Sequence, residues 1–479
     1  MLSAMTTRVM GPYIGGKSVS PKTTHAIRNP YDESIVGEVG LGDAGDLEAA
    51  ISGAAATFKA WSRSPTHQRA LVLEKLALAL EAEQAELARL ITLESGKPIR
   101  YSKGEVARAI STFRLGAAEA RVLGGEVIPS DQLPGAEGRL TLFRRVPRGP
   151  VAGISPFNFP LNLVAHKLAP ALAIGAPLVL KPAPQAPLTA HRLAELATEA
   201  GAPAHAFNVL HLLPEVAERL ATDARLPVLS FTGSDSVGWH LESVARRKQV
   251  LLELGGNAPC LIDETADLEA LLPRVVDACF ANAGQVCIKS QRLFVVRERF
   301  ARFVERFVEL AAALPVGDPL DERTVVGPMI EARHVERVLG WVEEATRGGA
   351  RLLLGGNANG NLLSPTVLTG TSPDQRVCKD EIFGPVTIIE PVDDFEAGLS
   401  ACNASRFGIQ ASVFTRDLGR ALAAYRELEF PGVLINDATS FRVDNIPYGG
   451  MRDSGKGREG VRFAIEEFTE PKLLSLRDL

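Results

Sequence analysis

Two periodicities alternate along the chain. Within the first 125 residues, apolar positions recur at helical spacing in DLEAAISGAAATFKAW, THQRALVLEKLALALEAEQAELARLITLESGKP and GEVARAISTFRLGAAEARVLGG. Three helices are expected there. The second has Thr66 as its N-cap and Gly96, just before Pro98, as its stop. Ahead of them, RNPYDESIVGEV (Arg28–Val39) alternates and turns like a strand-and-hairpin region.

The pattern then changes. GRLTLFRRVPRGPVAGISP (Gly138–Pro156) is strand-like, interrupted at Pro147 and Pro150. Short apolar runs follow in APLVLKP, AFNVLHL, LPVLSFTGS and QVLLELGG, separated by the helical stretches PLTAHRLAELATEAG, PEVAERLATDA and SVGWHLESVARR. Strands and helices alternating at this size predict a doubly wound parallel sheet. A second series follows Gly255, through RLFVVRE, RFARFVERFVELAAAL, EARHVERVLGWVEEATRGG, RLLLGG and GVLIND. The fold class is therefore α/β, with two such domains and no internal repeat or flexible linker between them.

At 479 residues the chain exceeds a single ordinary core, which agrees with that division. Its net charge of −5 argues against charge-driven binding to nucleic acid or to a membrane surface. It has no apolar run of about 18 residues that would cross a membrane, and its start lacks the charge and apolar pattern of a signal peptide. The five cysteines are odd in number and contain no C-x-x-C pair. That argues for a reducing cytoplasm and against a disulfide framework or a structural metal site.

Candidate chemistry lies where polar residues interrupt apolar runs. Asn158 stands between two phenylalanines in ISPFNFPLN, Glu253 ends the strand-like VLLELGG, and Cys287 lies in NAGQVCIKSQR. A thiolate attacks a carbonyl carbon, a side-chain amide donates to the resulting oxyanion, and a carboxylate of raised pKa acts as a base. Each residue also has a plain structural alternative. Asn158 can turn the chain before Pro160, Glu253 can pair with a core arginine, and Cys287 can simply pack. In LSFTGSDSVG, Gly233 would let the backbone approach a ligand, and Ser234 opens a helix whose free N–H groups suit an anion, although G-x-G-x-x-G is absent. Lys181 ends a strand, where α/β ligands bind or where a solvated charge commonly sits.

Seven motifs in order, SPFNFPLN, VLKPAP, SFTGSDSVG, LELGGNAP, NAGQVC, EIFGPV and PYGGMRDSGKGREG, resemble the aldehyde dehydrogenase superfamily over nearly the whole chain. The resemblance implies NAD(P)-dependent oxidation of an aldehyde to an acid. Cys287 would be the nucleophile, Asn158 and the Cys287 N–H would hold the oxyanion, and Glu253 would activate water. Ile154, Ser155, Pro156 and Phe157 would border the cofactor. Lys181 would reach the adenosine ribose, and Phe231, Gly233, Ser234 and Val237 would line the adenine and pyrophosphate site. Leu254 and Gly255 would leave room for the nicotinamide, with Glu381 and Phe383 holding its ribose and ring.

The same resemblance implies a variant Rossmann cofactor domain (1–124 and 149–253), an α/β catalytic domain (254–446) and a return segment (447–466). It further implies a β oligomerisation bridge (125–148 and 467–479) that joins a homodimer or homotetramer. NAD is the expected cofactor. NADP stays open because Pro184 replaces the glutamate often found three residues after the ribose lysine. The tunnel positions map to Arg108, Phe159, Asn162, His166, Val286, Ile288 and Arg442. The two arginines point to a small aldehyde with an anionic tail: a semialdehyde, or a phosphono-, sulfo- or phospho-aldehyde. Neutral lactaldehyde is the competing substrate, and Arg108 and Arg442 can instead form ordinary ion pairs. A CoA-acylating enzyme or a non-catalytic relative would be expected to lack Glu253, or one of the other two residues. No metal is expected.

Overall fold

The computed structural model describes residues 9–477. Two largely parallel sheets organise the chain, built from short runs of valine, leucine and isoleucine whose side chains are buried on both faces. The parallel core of the first sheet runs Gln249–Glu253, Val228–Thr232, Val151–Ile154, Leu178–Lys181 and Phe207–Val209 in spatial order. The chain lays down Val151–Ile154 first, then builds outward to Phe207–Val209. It next crosses back to start the other side with Val228–Thr232. The sheet therefore reverses direction between Val151–Ile154 and Val228–Thr232, and the crevice beyond their carboxyl ends is where an α/β sheet binds ligands.

The second sheet runs Arg351–Leu354, Thr366–Thr369, Val386–Val392, Arg292–Val296, Pro259–Ile262, Gln410–Phe414 and Gly432–Ile435. All are parallel except Arg351–Leu354. Four of these strands, Pro259–Ile262, Thr366–Thr369, Val386–Val392 and Gln410–Phe414, add to those expected from the sequence. Afterwards the chain returns to the first sheet, where Gly455–Lys456 pairs antiparallel with the end of Gln249–Glu253. This return carries residues 442–459 to the side of Glu253.

A separate antiparallel sheet joins Gly125–Ile128, Arg139–Pro147 and Thr469–Arg477. It leaves Val127 68% and Leu473 64% exposed. No helix among the described residues is long and apolar enough to cross a membrane.

The helical N-terminal region differs from expectation in two details. Thr66 is the first helical residue and not the N-cap. Pro65 holds the cap position and makes no side-chain cap bond. The expected single helix is two, Thr66–Ala82 and Gln84–Ser95. They part at Glu83, whose carboxylate takes both arms of the Arg192 guanidinium at 2.9 and 2.6 Å. Gly96 closes the second helix in the left-handed region, with φ 71°, as a glycine can.

Candidate active site

A cavity of about 490 Å³ lies between the two sheets. Asn158, Glu253 and Cys287 all line it, together with Pro156, Phe157, Phe159, Asn162, Gly233, Ser234, Leu254 and Gly255. Val286, Ile288, Glu381, Phe383, Arg108 and Arg442 complete the expected residues on its wall. Six expected residues stand outside this wall. Ile154, Ser155 and Phe231 are buried beneath it, Lys181 ends its strand, Val237 is exposed on its helix, and His166 is buried behind Asp444.

Cys287 sits on a segment of unusual backbone. Asn282, Ala283 and Gly284 are consecutive residues of positive φ, at 53°, 52° and 66°. Two non-glycine residues in that region cost on the order of 1–2 kcal/mol each, so packing must hold them. Lys289 Nζ donates to the carbonyls of Gly384 at 3.1 Å and Val386 at 2.5 Å. The Gln285 side chain accepts from the Ile330 N–H at 3.0 Å. The Gln285 carbonyl accepts from Asn158 Nδ2 at 2.9 Å. That bond fixes which end of the Asn158 amide is the donor and leaves its second amide hydrogen available. The Cys287 sulfur lies 3.1 Å from the Tyr448 hydroxyl. Burial pushes the thiol up to about 11, and the Tyr448 contact opposes that rise.

Glu253 ends its strand 5% exposed. Burial first, and the nearby Glu459 carboxylate second, raise its pKa well above the usual carboxylate range, against the pull of Arg442 and Lys167. Glu459 is the charged member of this pair. It accepts from Arg442 at 2.9 Å and lies 3.6 Å from Lys167 Nζ, whereas Glu253 faces the same cations without such a contact. Lys167, wholly buried, also donates to Ser230 Oγ at 3.0 Å and Thr232 Oγ1 at 2.8 Å.

The expected substrate arginines are both engaged inside the protein. Arg108 binds Asp444 through Nε at 3.2 Å and Nη2 at 2.6 Å. His166 Nε2 lies 2.8 Å from the same carboxylate, and burial lowers the pKa of this histidine against the pull of Asp444 and Glu459. Arg442 is 7% exposed at its side chain, joined to Glu459, and lies 3.6 Å from the centre of the Tyr448 ring. Three buried or half-buried cations, Arg108, Arg442 and Lys167, thus meet two ionised carboxylates, Asp444 and Glu459. Lys167, Asp444, Tyr448 and Glu459 were not singled out from the sequence. For Lys167 a signal existed, since with His166 it interrupts the otherwise apolar LVAHKLAPALAI and such a helix buries a lysine only with partners.

The crevice at the sheet reversal suits a dinucleotide. Ser234 caps the helix Asp235–Val244 without a side-chain cap bond; Asp235 Oδ1 takes the Ser236 N–H at 2.9 Å, and the remaining first-turn N–H groups suit an anion. A Cβ on Gly233 would come within 2.6 Å of the Phe231 ring, and one on Gly255 within 2.4 Å of Glu381 Oε2. Both positions therefore keep the floor of the crevice low. Glu381 accepts from the Gly256 N–H at 2.9 Å, and burial raises its pKa to about 7. Phe383, with φ 47°, meets Phe157 edge to face at 6.0 Å. Among the described residues, Lys181 Nζ has only a 3.4 Å contact with the adjacent Pro182 carbonyl. Ser155 Oγ is buried without a partner among the described residues. At the mouth, Arg406 spans the two halves, bonding Asp235 at 2.8 Å and Asp380 at 3.2 Å.

The family described as the aldehyde dehydrogenase family matches residues 17–474. The 3-sulfolactaldehyde dehydrogenase of Priestia aryabhattai is 40% identical over 477 residues, covering 99% of this chain and 100% of that protein. Aldehyde dehydrogenase 21 of Physcomitrella patens, solved with the reaction product succinate, superposes with a TM-score of 0.97 at 38% identity, covering 98% of this chain and 99% of that one. The glyceraldehyde-3-phosphate dehydrogenase of Methanocaldococcus jannaschii, solved with NADP, gives a TM-score of 0.91 at 36% identity, covering 94% and 98%.

Proposed function

The chain belongs to the aldehyde dehydrogenase family, and on that premise we propose that it oxidises a small aldehyde with an anionic tail to the acid, using Cys287, Asn158 and Glu253. NAD or NADP is the cofactor, and when bound it supplies the hydride acceptor. The observation that carries the reading is the shared cavity, lined by the nucleophile, the amide, the buried carboxylate and two arginines.

The chemistry follows from the residues. The Cys287 thiolate adds to the carbonyl carbon, and the free Asn158 amide hydrogen with the Cys287 N–H stabilises the oxyanion. The C=O bond re-forms as hydride leaves that carbon, which leaves a thioester on Cys287. Glu253 takes a proton from water, the hydroxyl adds to the thioester, and the C–S bond breaks to release the acid and the thiolate. A base with a raised pKa is needed for the water step, and burial gives Glu253 that property. Retention of Glu253 supports hydrolysis over transfer to CoA. The presence of all three groups in one cavity supports an enzyme over a non-catalytic relative.

The anionic tail is supported by the excess of cations around Arg108 and Arg442. It also agrees with the substrate class of the sulfolactaldehyde relative and with succinate in the solved neighbour. A second reading, a neutral hydroxyaldehyde, draws on one observation: Asp444 and Glu459 already pair with the two guanidinium groups, although the buried Nε of Arg442 has no partner among the described residues.

The same reading assigns the first sheet to the dinucleotide, the second to the nucleophile, and the small antiparallel sheet to subunit pairing through its exposed Val127 and Leu473. It places the enzyme in the cytoplasm as a homodimer or homotetramer, its five cysteines free. The test is a panel of anionic, neutral polar and apolar aldehydes with NAD and NADP, compared by kcat/KM in wild type and Arg442→Ala. Anionic aldehydes should lead and lose most in the variant. If apolar aldehydes lead and Arg442→Ala changes nothing, the tail assignment is wrong.

A further inference from the structure

One buried ion pair lies outside the chemistry described above. Lys97 and Glu105 form a salt bridge with side chains 1% and 0% exposed. Such a pair contributes little net stability compared with a well-packed apolar pair, because both charges lose their water. Its position is more informative than its strength.

The Lys97 ammonium stands 3.5 Å from the centre of the Phe159 ring, a cation–π contact with the residue directly after Asn158. The other oxygen of Glu105 accepts from the backbone N–H of Leu161 at 2.9 Å and of Asn162 at 3.0 Å. These N–H groups open the helix Asn162–Ile174, where a carboxylate satisfies unpaired donors and suits the dipole. The pair therefore grips the Asn158 turn by its side chain at Phe159 and by its backbone at Leu161 and Asn162.

The same turn braces the nucleophile. Gly96, next to Lys97, packs so closely on Pro328 that a Cβ there would come within 2.7 Å of the proline ring. The loop of Pro328 holds Gln285, whose Nε2 reaches the Pro328 carbonyl at 3.5 Å and whose Oε1 accepts from Ile330. Gln285 in turn accepts the Asn158 amide. A closed circuit runs from Lys97 through Phe159, Asn158, Gln285 and Pro328 back to Gly96.

We infer that Lys97, with Glu105, is a positioning residue that sets the Asn158 amide against the Cys287 loop for attack on the aldehyde. The inference rests on the catalytic roles given above to Asn158 and Cys287. Displacement of a reacting geometry by about 1 Å costs on the order of 100-fold in rate. Neither Lys97 nor Glu105 lines the cavity, so loss of the pair acts on the turn and not on substrate contacts.

The test is Lys97→Met, close in length and without charge. The kcat on the preferred aldehyde should fall about 10- to 100-fold, with the aldehyde KM and the dinucleotide Kd within about threefold of wild type. A primary deuterium isotope effect on kcat with aldehyde deuterated at C1 should increase, because a poorly held oxyanion lowers the population of the adduct and makes hydride loss from it the slow step. A purely structural pair would lower Tm and leave kcat per folded enzyme and the isotope effect unchanged; that outcome overturns the inference. Should Lys97→Met fail to fold, Glu105→Gln, also off the cavity wall, keeps an oxygen for the Leu161 and Asn162 N–H groups and removes the charge that holds Lys97. The same fall in kcat and rise in isotope effect are expected, and a change confined to KM overturns the inference. Cys287→Ala separates the two levels. Turnover retained in that variant sinks the catalytic assignment itself, whereas turnover lost there with a normal Lys97→Met sinks only the positioning role.

Discussion

The Arg442 guanidinium lies 3.6 Å from the centre of the Tyr448 ring, and the hydroxyl of that tyrosine is 3.1 Å from the Cys287 sulfur. Tyr448 therefore connects the cationic cluster to the nucleophile. Its hydroxyl favours the thiolate, while burial opposes it and brings the thiol to about 11. Removing the hydroxyl leaves only the weaker pull of the Arg442 charge against burial. Tyr448→Phe should shift the pH profile of Cys287 alkylation by iodoacetamide to higher pH and slow the reaction at neutral pH. An unchanged or lowered profile would contradict the contact.

Glu253 separates the two halves of turnover. As a base it must be unprotonated, and burial beside charged Glu459 raises its pKa well above the usual carboxylate range. The hydrolytic step should therefore slow as pH falls through that raised value, at a higher pH than an exposed carboxylate would impose. Glu253→Gln removes the base and leaves the nucleophile. Rapid-mixing assays should then record about one equivalent of reduced cofactor per subunit followed by little turnover. Steady multiple turnover at the wild-type rate would remove Glu253 from the mechanism.

Pro184 bears on the cofactor. It is exposed near Lys181, whose ammonium has only the weak contact to Pro182. A glutamate at this place would bond ribose hydroxyls and repel a 2′-phosphate through like charge. Pro184→Glu should lower the ratio of kcat/KM for NADP over NAD by on the order of tenfold, about 1.4 kcal/mol. Parallel steady-state assays with both cofactors measure it, and an unchanged ratio would place discrimination elsewhere in the crevice.

The sequence made some of this legible and hid the rest for physical reasons. Runs such as VLLELGG and RLFVV are buried on both faces, so their apolar composition marks them as strands of a covered sheet. Asn158, Glu253 and Cys287 stood out because polar groups in apolar runs require a reason. The pairing of Arg108 with Asp444 spans 336 residues, and no local pattern encodes it. Lys167, Tyr448 and Glu459 acquire meaning only when the chain returns to the edge of the first sheet at Gly455–Lys456. The helix break at Glu83 likewise depends on Arg192, distant in sequence and adjacent in space. Propensity across EAEQAE favours continuing the helix, and the tertiary context overrides it.

Gly255 has a specific spatial duty. A Cβ there would meet Glu381 Oε2 at 2.4 Å, displacing a carboxylate fixed by the Gly256 N–H at 2.9 Å. Gly255→Ala should weaken dinucleotide binding about tenfold, the cost of about one charge-assisted hydrogen bond. Titration of protein fluorescence with NAD or NADP measures the Kd. Unchanged affinity would mean that Glu381 does not contact the cofactor.

Two buried histidines give the fold a pH dependence of its own. Burial, with the charge of neighbouring His211, lowers His191 to about 3. Burial, with Lys181 and His25, lowers His211 to about 4. An unfolded chain holds both near about 6.5, so below that value the unfolded state binds protons that the folded state refuses. Stability is full above about pH 6.5 and is lost progressively as pH falls towards the two folded values. Melting curves across this range should show Tm falling on the acid side. His191→Leu removes one of the two groups, so its Tm should change less steeply with pH than that of wild type, whatever its absolute value. Parallel curves for the two proteins would show that His191 does not contribute to the acid sensitivity.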